Sequence, residues 1–467
     1  MYEAAQLIDG RWSTGAGRTL TVTDPRDDSP VTRVPVASDD DVSAAVRAAR
    51  RAAPGWARTA PAARAAALHA AANAIEAATG ELAEIMAAEM GKPVDGAAES
   101  IGAGVATLRQ YAELGPTHRG RTLAGNDEAI DLMAYRPRGV VAVITPWNDP
   151  VAVSCGLLGA ALVTGNTVVY KPSERTPATG WRLARLLAPH LPDGVLNVLQ
   201  GDGPAGAALA GAEVDVVAHV GSTATGRAIA AACARTGAKA LLENGGSDPL
   251  IVDADVDPVW AAGQAALGAF ANSGQICVAV ERIYVHADLA DAFVEALATE
   301  AETWGKQIGP LVDRRLREAV HGQVRDAVRA GATLVSGGSV PSGPGAYYPP
   351  TVLSGCSDDM AVMREETFGP VAPVAVVHSF EEALTRAADS PYGLAATVLT
   401  GSMSRAQRAW RELPAGTIKI NAVFGGAPGG AAHPRRASGQ GFGYGPELLD
   451  ELTVTTVVHL EAPPSGW

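Results

Sequence analysis

Cysteine, lysine and aromatic side chains are all scarce in this 467-residue chain. Its four cysteines show no short repeated spacing and no Cys-x-x-Cys, which excludes a disulfide framework and points to free thiols. The nine histidines never fall at metal-ligand spacing, so neither a structural nor a catalytic metal is expected. Lysine occurs only at Lys92, Lys171, Lys239, Lys306 and Lys419. Arginine and alanine dominate instead, a compositional bias that makes each lysine conspicuous. Basic residues number 37 against 50 acidic ones, a formal charge of −13, which excludes the basic footprint of a nucleic-acid binder. The longest near-apolar run, Val151 to Gly165, is interrupted by glycine and ends at Asn166. It is too short for a membrane span, and no membrane partner is expected. The opening Met-Tyr-Glu-Ala-Ala-Gln lacks the basic-then-apolar pattern of a signal peptide, so a cytoplasmic location is expected. What is there is an ordinary globular composition, 47% apolar and 19% charged, of a length that suits two or three domains.

The first third reads as helical. Ser38 followed by Asp41 resembles a capping box, and alanine-rich stretches run from Pro61 to Met90 and from Ala97 to Leu114, with Gly91-Lys92-Pro93 as a stop signal. From Gly139 onward short β-branched runs alternate with helical segments. Val140 to Ile144, Thr167 to Tyr170, Val195 to Leu199 and Val214 to Val220 are the first such strands. A second alternating region extends from Pro249 to about Asn421. This spacing predicts βαβ units, parallel sheets and an α/β fold. Ala129 to Arg136 and Thr453 to Leu460 stand outside these units and read as an exposed two-stranded arm that can add to a neighbouring copy, or as ordinary edge strands. Gly425 to Gly430 reads as a flexible loop.

Cys155 lies in an apolar run and Cys233 in an alanine-rich helix, where each serves as a small hydrophobe. Cys356 sits in a polar turn. Cys277 differs: Phe270-Ala-Asn-Ser-Gly-Gln-Ile-Cys-Val-Ala-Val-Glu-Arg places it in a glycine-containing break between a helix and a strand. Such a turn can present a thiol beside free backbone amides, although by itself it leaves a buried structural cysteine open. Gly201-Asp-Gly-Pro-Ala-Gly and Gly221-Ser-Thr-Ala-Thr-Gly follow strands and open helices. Their backbone amides suit phosphate, or they are tight strand-to-helix turns.

The segment around Cys277 resembles the nucleophile motif of the NAD(P)-dependent aldehyde dehydrogenase superfamily. Leu241-Leu-Glu-Asn-Gly-Gly resembles that family's Glu-Leu-Gly-Gly motif, and Thr145-Pro-Trp-Asn-Asp-Pro its Pro-Trp-Asn motif. Lys171-Pro-Ser-Glu and Glu366-Thr-Phe-Gly-Pro-Val resemble its cofactor-ribose and Glu-x-Phe-Gly-Pro motifs, and Pro391-Tyr-Gly-Leu-Ala-Ala is a further family stretch. The motifs stand in family order across nearly the whole chain. The resemblance implies a Rossmann-like cofactor domain over 1–120 and 138–244, a catalytic α/β domain over 245–430, and an oligomerisation arm from 121–137 and 431–467. It implies a homodimer or homotetramer that oxidises an aldehyde to its acid.

In that scheme Cys277 attacks the carbonyl, and the Asn148 amide with the Cys277 N–H holds the oxyanion. Losing one such donor typically costs about 10²–10³ in turnover. Glu243 activates water against the thioester, a task suited to a carboxylate whose pKa burial raises. The implied cofactor contacts are Thr145, Pro146, Trp147, Lys171, Ser173, Glu174, Gly203, Gly206, Gly221, Ser222, Thr225, Asn244, Gly245, Glu366 and Phe368. Glu174 suits a free ribose 2′-hydroxyl and repels a 2′-phosphate, so NAD is expected over NADP. Two rivals remain: a CoA-acylating enzyme, against which Glu243 weighs, and a silent structural protein on the same scaffold.

Three features depart from the family pattern. Asn244 replaces a leucine, is expected near the nicotinamide, and has Glu243 within possible reach. Gly305 to Pro310 is short. Pro434-Arg-Arg-Ala-Ser-Gly-Gln-Gly replaces a Phe- and Lys-containing loop at the substrate mouth. Arg435 and Arg436 suggest a clamp for an aldehyde with an acidic tail, while Asp149 favours a cation or pairs with one of those arginines. A surface charge pair unconnected with substrate is the alternative. Val153 and Gly156 suggest a roomy tunnel, and Ile276 and Val278 flank the nucleophile.

Overall fold

The computed structural model describes residues 1–15, 17–426 and 430–463. Its centre is a mainly parallel sheet in the spatial order Lys239–Glu243, Val216–Val220, Val140–Ile144, Thr167–Lys171 and Leu196–Val198. Val140–Ile144 and Thr167–Lys171 are buried at every residue, as strands covered on both faces must be. The chain builds outward from Val140–Ile144 to one side, then resumes at Val216–Val220 on the other. That reversal opens a crevice at the carboxyl ends of the two strands, beside Thr145 and Gly221, where doubly wound sheets take ligands.

A second sheet of seven strands follows in the order Thr333–Ser336, Thr351–Ser354, Val371–Val377, Val280–His286, Asp248–Val252, Ala395–Leu399 and Thr417–Ile420, parallel except at its first pair. Only residues 244–247 separate Glu243, the end of an edge-side strand of one sheet, from Asp248, the first strand residue of the other. The seam between the sheets is therefore where Glu243 ends. No described helix is long and apolar enough to cross a membrane.

The Ser38 hydroxyl accepts from the Asp41 N–H while the Asp41 carboxylate accepts from the Ser38 N–H, closing the expected capping box. The Pro61-to-Met90 stretch is two helices, Pro61–Ala77 and Thr79–Met90. The second stops at Gly91, whose φ of +79° and close approach to Pro310 leave no room for a side chain. The helical reading of the first third misses five strands that precede the first helix: Tyr2–Glu3, Gln6–Ile8, Arg11–Ser13, Thr19–Thr23 and Pro30–Pro35. The first three are only two or three residues long, too short to show a period, whereas Thr19–Thr23 does alternate. Gln6–Ile8, for example, is held by pairing with Leu196–Val198 far along the chain.

The arm has three strands rather than two: Thr453–Glu461 pairs antiparallel with Ala129–Pro137, and Arg121–Leu123 pairs with the other edge. Ile130, Val457 and Leu460 are exposed on it. Of residues 431–467, Gly439–Gln440 add antiparallel to the edge of the first sheet, and Leu448, Leu449 and Leu452 are buried in its core. Within the loop expected at Gly425 to Gly430, residues 427–429 lie outside the described residues.

One buried carboxylate ties three of these parts together. Glu89 accepts from the Thr32 hydroxyl, from the Ala178 and Thr179 N–H groups, and from the Thr179 hydroxyl. It thereby satisfies orphan donors in the first turn of Pro177–Leu187. Glu89→Ala strands those donors, and a loss of about 3 kcal/mol is expected. A thermal melt shows this as a lowered midpoint; an unchanged midpoint contradicts it.

Candidate active site

Helix Pro258–Phe270 ends in a tight turn in which Asn272, Ser273 and Gly274 all have positive φ. A Cβ on Gly274 would lie 2.1 Å from the Gly369 carbonyl oxygen, so the turn requires glycine there. Gln275 locks the exit from this turn. Its side-chain amide donates to the Asn272 carbonyl at 3.0 Å, and its Oε1 accepts from the Val312 N–H at 2.8 Å. Its own carbonyl accepts from Asn148 Nδ2 at 3.0 Å and from Asn272 Nδ2 at 3.1 Å. Asn148 thus reaches from the first sheet to the turn carrying Cys277 on the second.

Cys277 is half-buried, flanked by half-buried Ile276 and Val278. Burial pushes its thiol pKa up, and the charges of Glu243, Asp248, Glu366 and Asp149 push it further. The other cysteines are buried, Cys155, Cys233 and Cys356 each within an apolar cluster. Cys356, read as a turn residue, therefore packs in the second sheet's core. Glu243 ends its strand half-buried, and burial raises its pKa. A Cβ on Gly443 would stand 2.5 Å from the Glu243 Oε2, so that glycine gives the carboxylate its space.

Around this pair lie three charged residues that the motif reading overlooked. Asp248 is buried and its pKa is pushed up to about 8, chiefly by burial. Lys419, on Thr417–Ile420, donates to the Val423 carbonyl at 2.7 Å and lies within electrostatic reach of Asp248 and Cys277. Glu281 is 4% exposed and accepts from the Thr367 and Phe368 N–H groups, at 3.0 and 2.8 Å. It pins the loop where Phe368 has φ +52°. The available signal was a charge inside an otherwise apolar strand, as in Val-Glu-Arg-Ile-Tyr-Val and Thr-Ile-Lys-Ile.

The residues expected to meet a dinucleotide fall at or beyond the carboxyl ends of first-sheet strands, except Glu366 and Phe368, which precede Val371–Val377 of the second. Ser222 caps helix Thr223–Thr236, accepting from the Thr225 N–H, with Gly221 before it. Thr145 is buried, its hydroxyl accepting from Ser154, and Pro146 and Trp147 follow it half-buried. Lys171 is 3% exposed, donates to the Pro172 carbonyl and stands 4.0 Å from Glu174. Ser173 accepts from the Arg175 N–H. Gly203 and Gly206 lie in helix Gly203–Ala210, and a Cβ on Gly206 would contact the Lys171 side chain. Trp147 meets Phe368 edge to face, with ring centroids 5.5 Å apart. Glu366 accepts from the Gly246 N–H, burial lifts its pKa to about 7, and a Cβ on Gly245 would lie 2.1 Å from it. A buried ammonium beside a carboxylate, a capped helix N-terminus and glycines where side chains would intrude form a donor set that fits a nicotinamide dinucleotide.

Three expectations are corrected. Asn244 turns away from Glu243: its Nδ2 donates to the Ala437 carbonyl and its Oδ1 packs against Gly226. It therefore anchors the altered 434–441 loop, so that one departure from the family pattern supports the other. Arg436 is exposed, has φ +56°, and donates to the Ala388 and Ser390 carbonyls. Its guanidinium is used at the end of helix Phe380–Ala388, while the Arg435 N–H donates to the Gly393 carbonyl and its side chain is exposed. No paired clamp forms. Asp149 pairs with neither arginine; it accepts from the Ser100 hydroxyl, which in turn accepts from Lys92 Nζ at 3.0 Å. Val153 and Gly156 share the Asp149 face of helix Pro150–Val163.

The family model described as the aldehyde dehydrogenase family matches residues 12–458. A mitochondrial aldehyde dehydrogenase of Leishmania tarentolae is 36% identical, over 97% of this chain and 94% of that one. Among solved structures, an indole-3-acetaldehyde dehydrogenase complexed with NAD+ superposes with a TM-score of 0.95 at 33% identity, covering 99% of this chain and 97% of that one. A 3,6-anhydro-L-galactose dehydrogenase in complex with NAP gives the same score at 31% identity, covering 98% and 100%. The chain belongs to the aldehyde dehydrogenase family of enzymes.

Proposed function

We propose that the chain oxidises an aldehyde to the carboxylic acid with NAD, through a thiohemiacetal and then a thioester on Cys277. The observation that carries this reading is the meeting of Cys277, Glu243 and Asn148 at the seam of two sheets, with the Asn148 amide bonded to the Gln275 carbonyl. The Cys277 thiolate attacks the carbonyl carbon, with the Lys419 ammonium as the cation that favours ionisation of the thiol. The second N–H of the Asn148 amide and the Cys277 N–H hold the oxyanion. Bound NAD, held by Lys171, Glu174, Ser222, Glu366 and Phe368, supplies the two-electron acceptor. Glu243 then takes a proton from water, the resulting hydroxide adds to the thioester carbon, and the Cys277 thiolate leaves.

Glu174 supports NAD over NADP, because its carboxylate accepts from a ribose 2′-hydroxyl and repels a 2′-phosphate. Initial rates of reduced-cofactor formation at saturating aldehyde test this. A higher kcat/KM with NAD is expected, and a strong preference for NADP contradicts it. Exposed Ile130, Val457 and Leu460 on the arm support a homodimer or homotetramer. Sedimentation velocity is expected to give an oligomer; a monomer at micromolar concentration contradicts it.

A further inference from the structure

Beside the reacting groups, two packed helices and the Tyr444 segment bring together hydroxyl groups and one carboxylate. Helices Val94–Leu114 and Pro150–Val163 pack so closely at Gly104 that a Cβ there would lie 3.1 Å from the Ala152 Cα. At one end of that contact Asp149 accepts from Ser100. At the other, the Thr107 hydroxyl is 2.7 Å from the Tyr444 hydroxyl. Gly156 lies between them, its Cβ position 3.8 Å from both the Thr107 methyl and the Tyr444 ring. Both ends adjoin the reacting groups. Asp149 follows Asn148 and its charge acts on Cys277. Tyr444 follows Gly443, which lies against the Glu243 carboxylate.

We propose that Asp149, Ser100 and the Thr107–Tyr444 hydroxyl pair receive the non-reacting end of the aldehyde, and that this end carries neutral hydroxyl groups, as in a hydroxyaldehyde or a sugar-derived aldehyde. The proposal rests on the oxidation reading above and names its substrate class. The charges decide between classes. Lys92, reaching Asp149 through Ser100, offsets the carboxylate, so a cationic tail gains little net attraction. An anionic tail is opposed by the Asp149 carboxylate, and Arg436 is engaged elsewhere. A hydroxyl donates to Asp149 and exchanges bonds with Thr107 and Tyr444 at no cost in buried charge. An apolar tail makes no such bond and leaves the Asp149–Ser100 and Thr107–Tyr444 pairs bonded to each other, so the preference is the worth of the added hydrogen bonds.

The test compares kcat/KM of the enzyme with NAD for glyceraldehyde, propanal, 4-oxobutanoate and trimethylammonioacetaldehyde. Glyceraldehyde is expected to exceed each of the others by about tenfold or more, the ratio expected from one or two such hydrogen bonds. In Tyr444→Phe, and separately in Thr107→Val, the glyceraldehyde-to-propanal ratio is expected to fall about five- to tenfold. Two variants guard against one that fails to fold, and a thermal melt identifies it. A wild-type ratio near one, a preference for the carboxylate or ammonium aldehyde, or a ratio unmoved in both folded variants overturns the proposal while leaving aldehyde oxidation standing. No turnover of any aldehyde, propanal included, overturns the oxidation reading and this proposal with it.

Discussion

Glu243→Gln is expected to complete one turnover and then stall. Glutamine fills the same space beside Gly443 but cannot take a proton from water. Cys277 and Asn148 are untouched, so the first half of the reaction proceeds to the thioester, and hydrolysis slows by about 10²–10⁴-fold. Stopped-flow absorbance at 340 nm then shows a burst of about one reduced cofactor per active site, followed by a plateau. Steady turnover at the wild-type rate contradicts the assignment. If CoA also accelerated the wild type, that result would favour transfer of the acyl group to CoA instead.

Cys277→Ala is expected to remove the burst as well. Without the sulfur no thiohemiacetal forms, and turnover falls by about 10⁴-fold or more, as when the nucleophile of a covalent mechanism is deleted. Dinucleotide binding, measured by quenching of tryptophan fluorescence, is expected to survive, because Lys171, Glu174 and Ser222 lie at or just beyond strand ends of the other sheet. Residual steady activity within tenfold of wild type contradicts the covalent route. The same two residues set the pH dependence. Burial raises both the Cys277 thiol and the Glu243 carboxyl above their ordinary values, and each acts only when ionised. Their ionised fractions grow as pH rises, so kcat climbs from acid through neutral toward alkaline pH. A profile that falls over that range contradicts these roles.

The parts most legible in the sequence were those whose signal is local. A β-branched run such as Val140 to Ile144 announces a buried strand by itself, and Ser38 with Asp41 encodes a helix start within four residues. The expectation that Cys277, Glu243 and Asn148 act together came from resemblance to a family's short motifs, each of which lies at an element end. The parts that escaped depend on partners remote in sequence. Gln6–Ile8 becomes a strand only because Leu196–Val198 offers it an edge. Arg436 is indistinguishable in sequence from a substrate clamp until the loop sets it beside the Ala388 and Ser390 carbonyls. Asn244 and Ala437, nearly two hundred residues apart, interact through a single hydrogen bond, which no local pattern encodes. Glu281 was visible only as a charge in an apolar strand, and the backbone it pins, at Thr367 and Phe368, comes from another element.

Mass spectrometry of Glu243→Gln, quenched in acid seconds after mixing with NAD and an aldehyde, tests the central claim most directly. The account predicts an acyl adduct on the peptide carrying Cys277, in an amount matching the burst. Reduced cofactor formed with no adduct on Cys277, or an adduct on another cysteine, would contradict it.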